Sequence, residues 1–359
     1  MPITLESLRG LNGLEARWRA LEAQARGSFF QSWTWLGCLA AERFADPVLL
    51  AAEEGGETVA LALFNRRRRI AGDTLWLGET GDARLDSVYI EHNGPLLRAG
   101  MEAALGPCLR AALLAPLDGR AFGRRVVLGG VDGVQAALAA ALPGRAIARA
   151  PAQPAPYVDL ARLRAAGMSH LAALSANTRY QLRRSARRYE EAGALRLTRA
   201  GDVAEGLAFL DALAALHQAS WTRRGKTGAF AAPAFLRFHR TLVAEALPRG
   251  EVELLRVTAG PSVVGYLLNF HWRGQVLAYQ SGFAYPEGDA HRKPGLTSHQ
   301  LAIAASLEAG ADRYDFLAGA GRYKTSLANA EQTLHWLELG PSWRPAALRD
   351  MLRRAVTNC

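Results

Sequence analysis

Cysteine is scarce. The 359 residues hold three, Cys38, Cys108 and Cys359. They lie far apart, with no CxxC and no even set, which argues against a disulfide framework or a cysteine-based zinc site and fits a reducing compartment. The eight histidines show no metal-ligand spacing. His271, His291 and His299 are scattered and read as surface or core side chains, so no metal is expected. No stretch approaches the ~20 apolar residues that a membrane-spanning helix needs. The opening MPITLESLRG has no apolar segment of the secretory kind. The expectation from these absences is a soluble, cytoplasmic protein.

What is present is enough chain for two ordinary domains and, with 50% hydrophobic residues, enough apolar surface for sizeable cores. Forty-three Lys and Arg against 33 Asp and Glu leave a net charge of +10. That balance favours anionic partners: a nucleotide, RNA or a membrane surface. It does not choose among them, and the excess of arginine over lysine, with abundant alanine, also fits plain coding bias.

Along the chain, Leu14, Trp18 and Leu21 share one face of a helix over residues 11–26. FFQSWTWLGCLAAERF (29–44) is aromatic and reads as core packing, with Ser32 as N-cap. Residues 48–53 and 58–64 form a hairpin around Gly55-Gly56, and 74–77, 87–90 and 126–128 are short strands. Residues 100–115 and 131–142 are helical, giving an α/β order. The Pro- and Ala-rich PGRAIARAPAQPAP (143–156) reads as the junction between domains 1–150 and 156–359. A long helix follows at 203–224, another at 234–247, a second hairpin at 251–258 and 263–272, a last strand at 332–339 and a helix at 345–355. Leu50, Gly56, Val59, Ala60 and Leu63 line up at one constant offset with Leu254, Gly260, Val263, Val264 and Leu267. Two copies of one α/β unit are therefore expected.

Two segments of the second half carry the strongest signals. In SANTRYQLRRSARRYEEAG (175–193), Arg179, Arg183 and Arg187 recur every four residues, with Leu182, Ala186 and Tyr189 opposite. The stripe is either a solvated face or an anion-binding one. From Leu277 to Lys324 the order is strand, loop, helix, strand, Gly-rich turn. Arg292 and Lys293 precede a helix opened by Gly295, and a helix N-terminus with cations ahead of it suits a phosphate. Thr297 and Ser298 either cap that helix or touch phosphate.

NTRYQLRRSARRYEEAG, LHQASWTRRGKTGAF (216–230) and the run from YQSGFAY through KPGLTSHQLAIAASLEAG to YDFLAGAGRYK resemble the acetyltransferase-like domain of the CelD and BioF2-like group in the GNAT superfamily of N-acyltransferases. The likeness spans about Asn177 to Lys324. It implies an α/β fold of two tandem GNAT-like domains, each a mixed sheet flanked by helices. It also implies an acyl-CoA donor such as acetyl-CoA, its pyrophosphate over Arg292, Lys293, Gly295, Thr297 and Ser298. The acyl carbonyl would meet the strand end near Gln280 and Ser281. HRKPGLTS has fewer glycines than the usual GNAT phosphate loop. Tandem GNAT units also resemble the Fem aminoacyl transferases, whose donor is aminoacyl-tRNA. Tyr323-Lys324 is similar to the Phe-Lys pair near the end of Fem proteins, which would have Lys324 stabilise charge at the acyl carbonyl. The helical arm that Fem proteins often insert is missing.

Acyl transfer to an amine needs a proton acceptor, donors for the oxyanion and an acid for the leaving group. No Ser-His-Asp or Cys-His grouping stands out, so direct attack is expected rather than a covalent intermediate. Asp315 is either a base, an orienter of Lys324 or a structural cap. Tyr323 is either an acid or core. Trp221, Arg223 and Arg224 are candidates to line a pocket for a small amine acceptor, with Arg183 and Arg187 as further binding residues. Two alternatives stand beside acyl-CoA transfer: a tRNA-dependent Fem-type reaction, and a non-catalytic GNAT pair that binds an anionic saccharide or a protein.

Overall fold

The computed structural model describes residues 1–340 except 71, 87–89, 120–122, 143–144 and 287. Two compact units result, one of Met1–Ala152 with residues 333–340, the other Gln153–Gln332. The expected helix at 345–355 and most of the expected strand at 87–90 lie outside the described residues.

The first unit contains β1 (Ile3–Ser7), α1 (Leu14–Glu22), α2 (Trp33–Arg43), β2 (Pro47–Glu54), β3 (Glu57–Arg67), β4 (Thr74–Leu77), β5 (Leu96–Leu97), α3 (Leu105–Leu114), β6 (Arg125–Val131) and α4 (Gly133–Ala140). Its sheet runs β1-β2-β3-β4-β6 and ends on β13 (Ala330–Gly340), with β5 beside β3. Every pairing on that path is antiparallel except β4 with β6. Residues 59–66 of β3 are buried without a break, as expected for a sheet covered on both faces. Ser32 caps α2 by accepting from the Trp35 N–H at 3.1 Å.

β7 (Arg145–Asp159) leads into the second unit, with α5 (Leu160–Ala165), α6 (His170–Ala173), α7 (Ala176–Glu190), β8 (Leu195–Arg199), α8 (Val203–Arg223), α9 (Pro233–Ala246), β9 (Val252–Ala259), β10 (Ser262–Trp272), β11 (Gln275–Phe283), α10 (Pro294–Glu308), β12 (Arg313–Asp315) and α11 (Arg322–Leu327). The sheet order is β8-β9-β10-β11-β12-β7, antiparallel but for β11 with β12. Both units thus repeat one pattern: three antiparallel steps, one parallel step, one antiparallel closing strand. This agrees with two GNAT-like mixed sheets flanked by helices. Asp202 and Ser175 cap α8 and α7 through the Glu205 and Thr178 N–H groups.

Two departures from the sequence reading matter. The Pro-rich segment read as a linker is the strand β7, and the boundary between the units falls inside it. Proline only lacks a donor: the carbonyls of Pro154 and Pro156 still accept from Gly319 at 2.8 Å and Phe316 at 3.1 Å. The last strand, expected with the second half, pairs with β6 through His335 to Leu339.

Candidate active site

β11 and β12 pair only over Gln275–Leu277 and Arg313–Asp315. Beyond Leu277, β11 continues alone on that side among the described residues, while its other edge follows β10 as far as Phe283. A register shift between Leu268 and Asn269 leaves Tyr279 as the extra residue of a bulge. The Ala284 N–H returns to the Val264 carbonyl at 3.0 Å. By the two-residue alternation of a ladder, Gly282 and Gln280 therefore face β10, while Phe283 and Ser281 turn their backbone groups to the open side.

The open edge leads into a cleft of about 840 Å³. Its walls come from the start of α7 (Asn177, Thr178, Gln181), the end of β11 and its loop (Phe283, Tyr285, Asp289), the start of α10 (Arg292 to Leu296) and α11 (Arg322, Tyr323). α10 opens on Pro294, which has no N–H, after Lys293, which makes no side-chain cap. The first-turn N–H groups of Gly295 and Leu296 have no intrahelical acceptor and both residues line the cleft. Arg292, Lys293 and Arg322 outweigh the single acid, Asp289. The His291 N–H, with Arg188 and Arg292 nearby, holds that carboxyl below its usual range. Helix dipole, free donors and cations thus act together on an anion.

Of the residues singled out in the sequence, Arg292, Lys293, Gly295 and Tyr323 meet at this cleft. Arg223 and Arg224 stand at its rim, each guanidinium 5.7 Å from the Tyr285 ring centre. Arg292 is also an anchor: it bonds the Arg188 carbonyl and pairs with Asp289 at 3.5 Å. Thr297 is not turned to the cleft. It is buried, with its hydroxyl 2.8 Å from Ser185 of α7. Ser298 is wholly buried too, and its hydroxyl has no partner among the described residues. Ser185 further accepts from the Lys293 N–H at 2.8 Å. The inward face of α7 is therefore Thr178, Leu182, Ser185 and Tyr189, not Leu182, Ala186 and Tyr189; Ala186 sits with Arg179, Arg183 and Arg187 along a separate groove of about 720 Å³. Ser185 fits inside because both of its bonds are made there.

Asp315 is fully buried, 2.6 Å from Arg313, and accepts from the Leu317 N–H at 2.7 Å. Leu317 has φ 60, a left-handed turn that this bond holds. The Leu317 bond is that of a structural cap on this turn. The turn aims the carbonyls of Leu317 and Ala318 at Lys324, whose ammonium donates to them at 3.3 and 2.7 Å. Lys324 follows not a bare turn but the first residues of α11. Tyr323 stacks on His299 at 5.2 Å; the residue is 36% exposed, and desolvation of its phenol pushes the pKa up to about 12. His299 is buried and kept neutral, its pKa down to about 3, by desolvation and the nearby Lys324 charge.

Gln280 and Ser281 lie on the bulged strand, and Ser281 presents its carbonyl to His217 of α8, whose Nδ1 is 3.1 Å away. Trp221 stacks on the same imidazole at 5.7 Å. His217 was not singled out, although it lies in the segment 216–230 that carried the resemblance; the fold brings it to β11. Asn177, Gln181 and Tyr285 were also missed singly, although each lies in a segment that carried the resemblance or adjoins one.

The family model for the acetyltransferase (GNAT) domain matches residues 176–325. This stretch is a GNAT acetyltransferase domain. It contains the cleft, the open edge of β11 and α10 entire. Among solved structures, FemX is similar over 92% of this chain and 96% of its own, at 10% identity and a TM-score of 0.60. The C-terminal domain of a protein described as a lysylphosphatidylglycerol synthetase of Agrobacterium fabrum is similar over 95% and 94%, at 12% identity and 0.55. L-PGS of Bacillus licheniformis is similar over 94% and 95%, at 13% identity and 0.51. At such identities the likeness is one of fold, and it extends across both units. No curated protein matches the chain. The GNAT domain makes the protein an acyltransferase. Among the described residues there is no group of side chains able to hold a metal ion, and no helix long and apolar enough to cross a membrane.

Proposed function

We propose that the protein is an N-acyltransferase that moves an acyl group from acyl-CoA to an amine by direct attack, using the cleft of the second unit. The observation that carries this reading is the basic cleft at the start of α10, opening beside the unpaired edge of β11. The Gly295 and Leu296 N–H groups, with Arg292 and Lys293, would hold the pyrophosphate. An extended pantetheine arm would continue beside β11, and the Ser281 and Phe283 N–H groups would meet the acyl carbonyl. Tyr323 stays protonated at neutral pH and would protonate the leaving thiolate. Lys324, Arg223, Arg224 and Trp221 would act on the carbonyl and the acceptor. The resemblance to the CelD and BioF2-like group favours the same donor.

Calorimetry with CoA tests the reading. A Cβ at Gly295 would sit 3.3 Å from the Phe283 ring, so Gly295→Asp can fold while setting a carboxylate among the phosphate donors. CoA affinity is expected to fall more than tenfold; unchanged affinity in a folded variant refutes the assignment.

A second reading has its own support. Arg183 and Arg187 are exposed on α7 with no hydrogen-bond or ion partner among the described residues. Such a stripe suits a polyanion, and an aminoacyl-tRNA donor of the Fem type would use it.

A further inference from the structure

We infer that His217 is the general base that takes the proton from the attacking amine. The inference rests on the acyl-transfer reading, but its observations are separate. His217 is 9% exposed. Its Nδ1 faces the Ser281 carbonyl, which can only accept, so the proton sits on Nδ1 and Nε2 carries a lone pair. That Nε2 is buried and has no partner among the described residues. A buried acceptor left unbonded is destabilising, and such a group calls for an explanation. Burial, and to a smaller degree Arg224, lower the imidazole pKa, so the lone pair persists at neutral pH.

The location fits the task. Ser281 turns its backbone to the open side of β11, so the imidazole is fixed to the edge where the acyl carbonyl would lie. Arg224, whose charge acts on the imidazole, donates to the Tyr285 hydroxyl at the rim of the cleft at 3.4 Å. Over the ring lie Trp221, stacked, and Phe230, edge-on at 5.1 Å. Phe230 belongs to the segment 225–232, which closes down because Gly228 has no side chain: a Cβ there would be 2.6 Å from Gln218 Oε1 and 3.2 Å from the His217 ring. That Gln218 oxygen is likewise buried without a partner. Both residues lie against Gly228 under one loop, and their two open acceptors match an amine that brings more than one N–H donor. In the step itself the amine nitrogen bonds to the thioester carbon, its proton passes to Nε2, and the C–S bond breaks. The products are an amide and the thiol: Tyr323 gives its proton to the departing thiolate, and the imidazolium's proton returns to the tyrosinate through solvent, restoring both groups.

The test uses the full chain with acetyl-CoA and a panel of primary amines, following CoA release. His217→Asn keeps a donor for the Ser281 carbonyl and deletes the lone pair. It should fold, and lose about 10²–10⁴ in turnover; the His217→Ala protein should regain part of it with added imidazole. Wild-type turnover in a folded His217→Asn protein overturns the assignment. Nitrogen NMR of His217 at neutral pH is read in parallel and needs no turnover. The Nδ1–H tautomer is expected, and an Nε2–H tautomer also overturns it. If the wild type releases no CoA with any amine, the acyl-CoA reading fails, and the tautomer alone decides on His217.

Discussion

Gly282 is the residue on which α8 and β11 meet, and replacing it by alanine tests how the site is assembled. A Cβ there would lie 2.3 Å from the carbonyl oxygen of Leu213 and 3.0 Å from its carbonyl carbon and Cα. All three are backbone atoms, so no side chain can swing aside. A comfortable carbon–oxygen contact needs about 1 Å more, and α8 must lift by that amount. Overpacking of this kind typically costs 1–3 kcal/mol or more, against which alanine recovers about 0.4–1 kcal/mol of unfolded-chain entropy. A net loss near 2 kcal/mol in a unit of this size lowers the melting temperature by about 4–8 °C. The same lift stretches the 3.1 Å bond from His217 to Ser281, so acyl transfer should fall with stability. Gly295→Ala is the control, since its Cβ meets only the edge of the Phe283 ring at 3.3 Å. Thermal melts and CoA-release assays on both variants decide. A Gly282→Ala protein that melts within a degree of wild type refutes the packing argument.

Lys324→Met removes the ammonium's bonds to the Leu317 and Ala318 carbonyls. It should cost about 1–3 kcal/mol by chemical denaturation as well as ~10²–10³ in turnover; a loss of stability alone would make the lysine structural. Changing Arg183 and Arg187 together to Gln should leave the melting temperature unmoved and lower the salt slope of tRNA binding by about 1–2; an unaltered slope leaves the stripe a solvated face. In the first unit, burial and the Asp86 charge raise the Glu79 pKa from 4.5 to about 7, partly opposed by Arg149. The folded state then binds more protons than the unfolded one between those values. Stability falls as pH rises from about 4.5 to about 7, by at most about 3 kcal/mol. Glu79→Gln should flatten that slope in urea melts and stabilise the protein at pH 8; an unchanged pH profile refutes it.

The fold was readable where local pattern and final structure agree. The two hairpins, read from strand pattern on either side of a Gly-containing turn, are β2–β3 and β9–β10. Ser32 caps the helix it was expected to cap. Reading failed where a partner distant in sequence decides. Nothing local says that a segment with Pro151, Pro154 and Pro156 will be a strand, because the acceptors it offers are used by Phe316 and Gly319. The inward place of Ser185 depends on Thr297 and Lys293, more than a hundred residues on. At the site, the cations before α10 were legible because charge and helix start are adjacent in sequence. His217 was not: one histidine in a long helix has no pattern, and its role depends on a carbonyl 64 residues away.

The two units share a strand order, yet the helix that crosses to the parallel strand is prepared for an anion in only one of them. α3 of the first unit opens on Leu105, Gly106 and Pro107, and Glu102 stands just ahead of it, accepting from the Gly100 N–H at 3.2 Å. A negative charge at that end is already supplied by the chain, and it repels a phosphate. α10 of the second unit opens on Pro294, Gly295 and Leu296 with Arg292 and Lys293 ahead of it, and its free N–H groups line a cleft. The neighbouring acid differs as well. Glu79, which follows β4 in the first unit, is partly buried and pushed towards its neutral form, whereas Asp289, which follows β11 in the second, is held ionised by the bonds that shape the loop. The copy that keeps cations, free donors and an open strand edge together is the one in which donor binding should be sought. Mutations around Glu79 should change stability without changing CoA affinity.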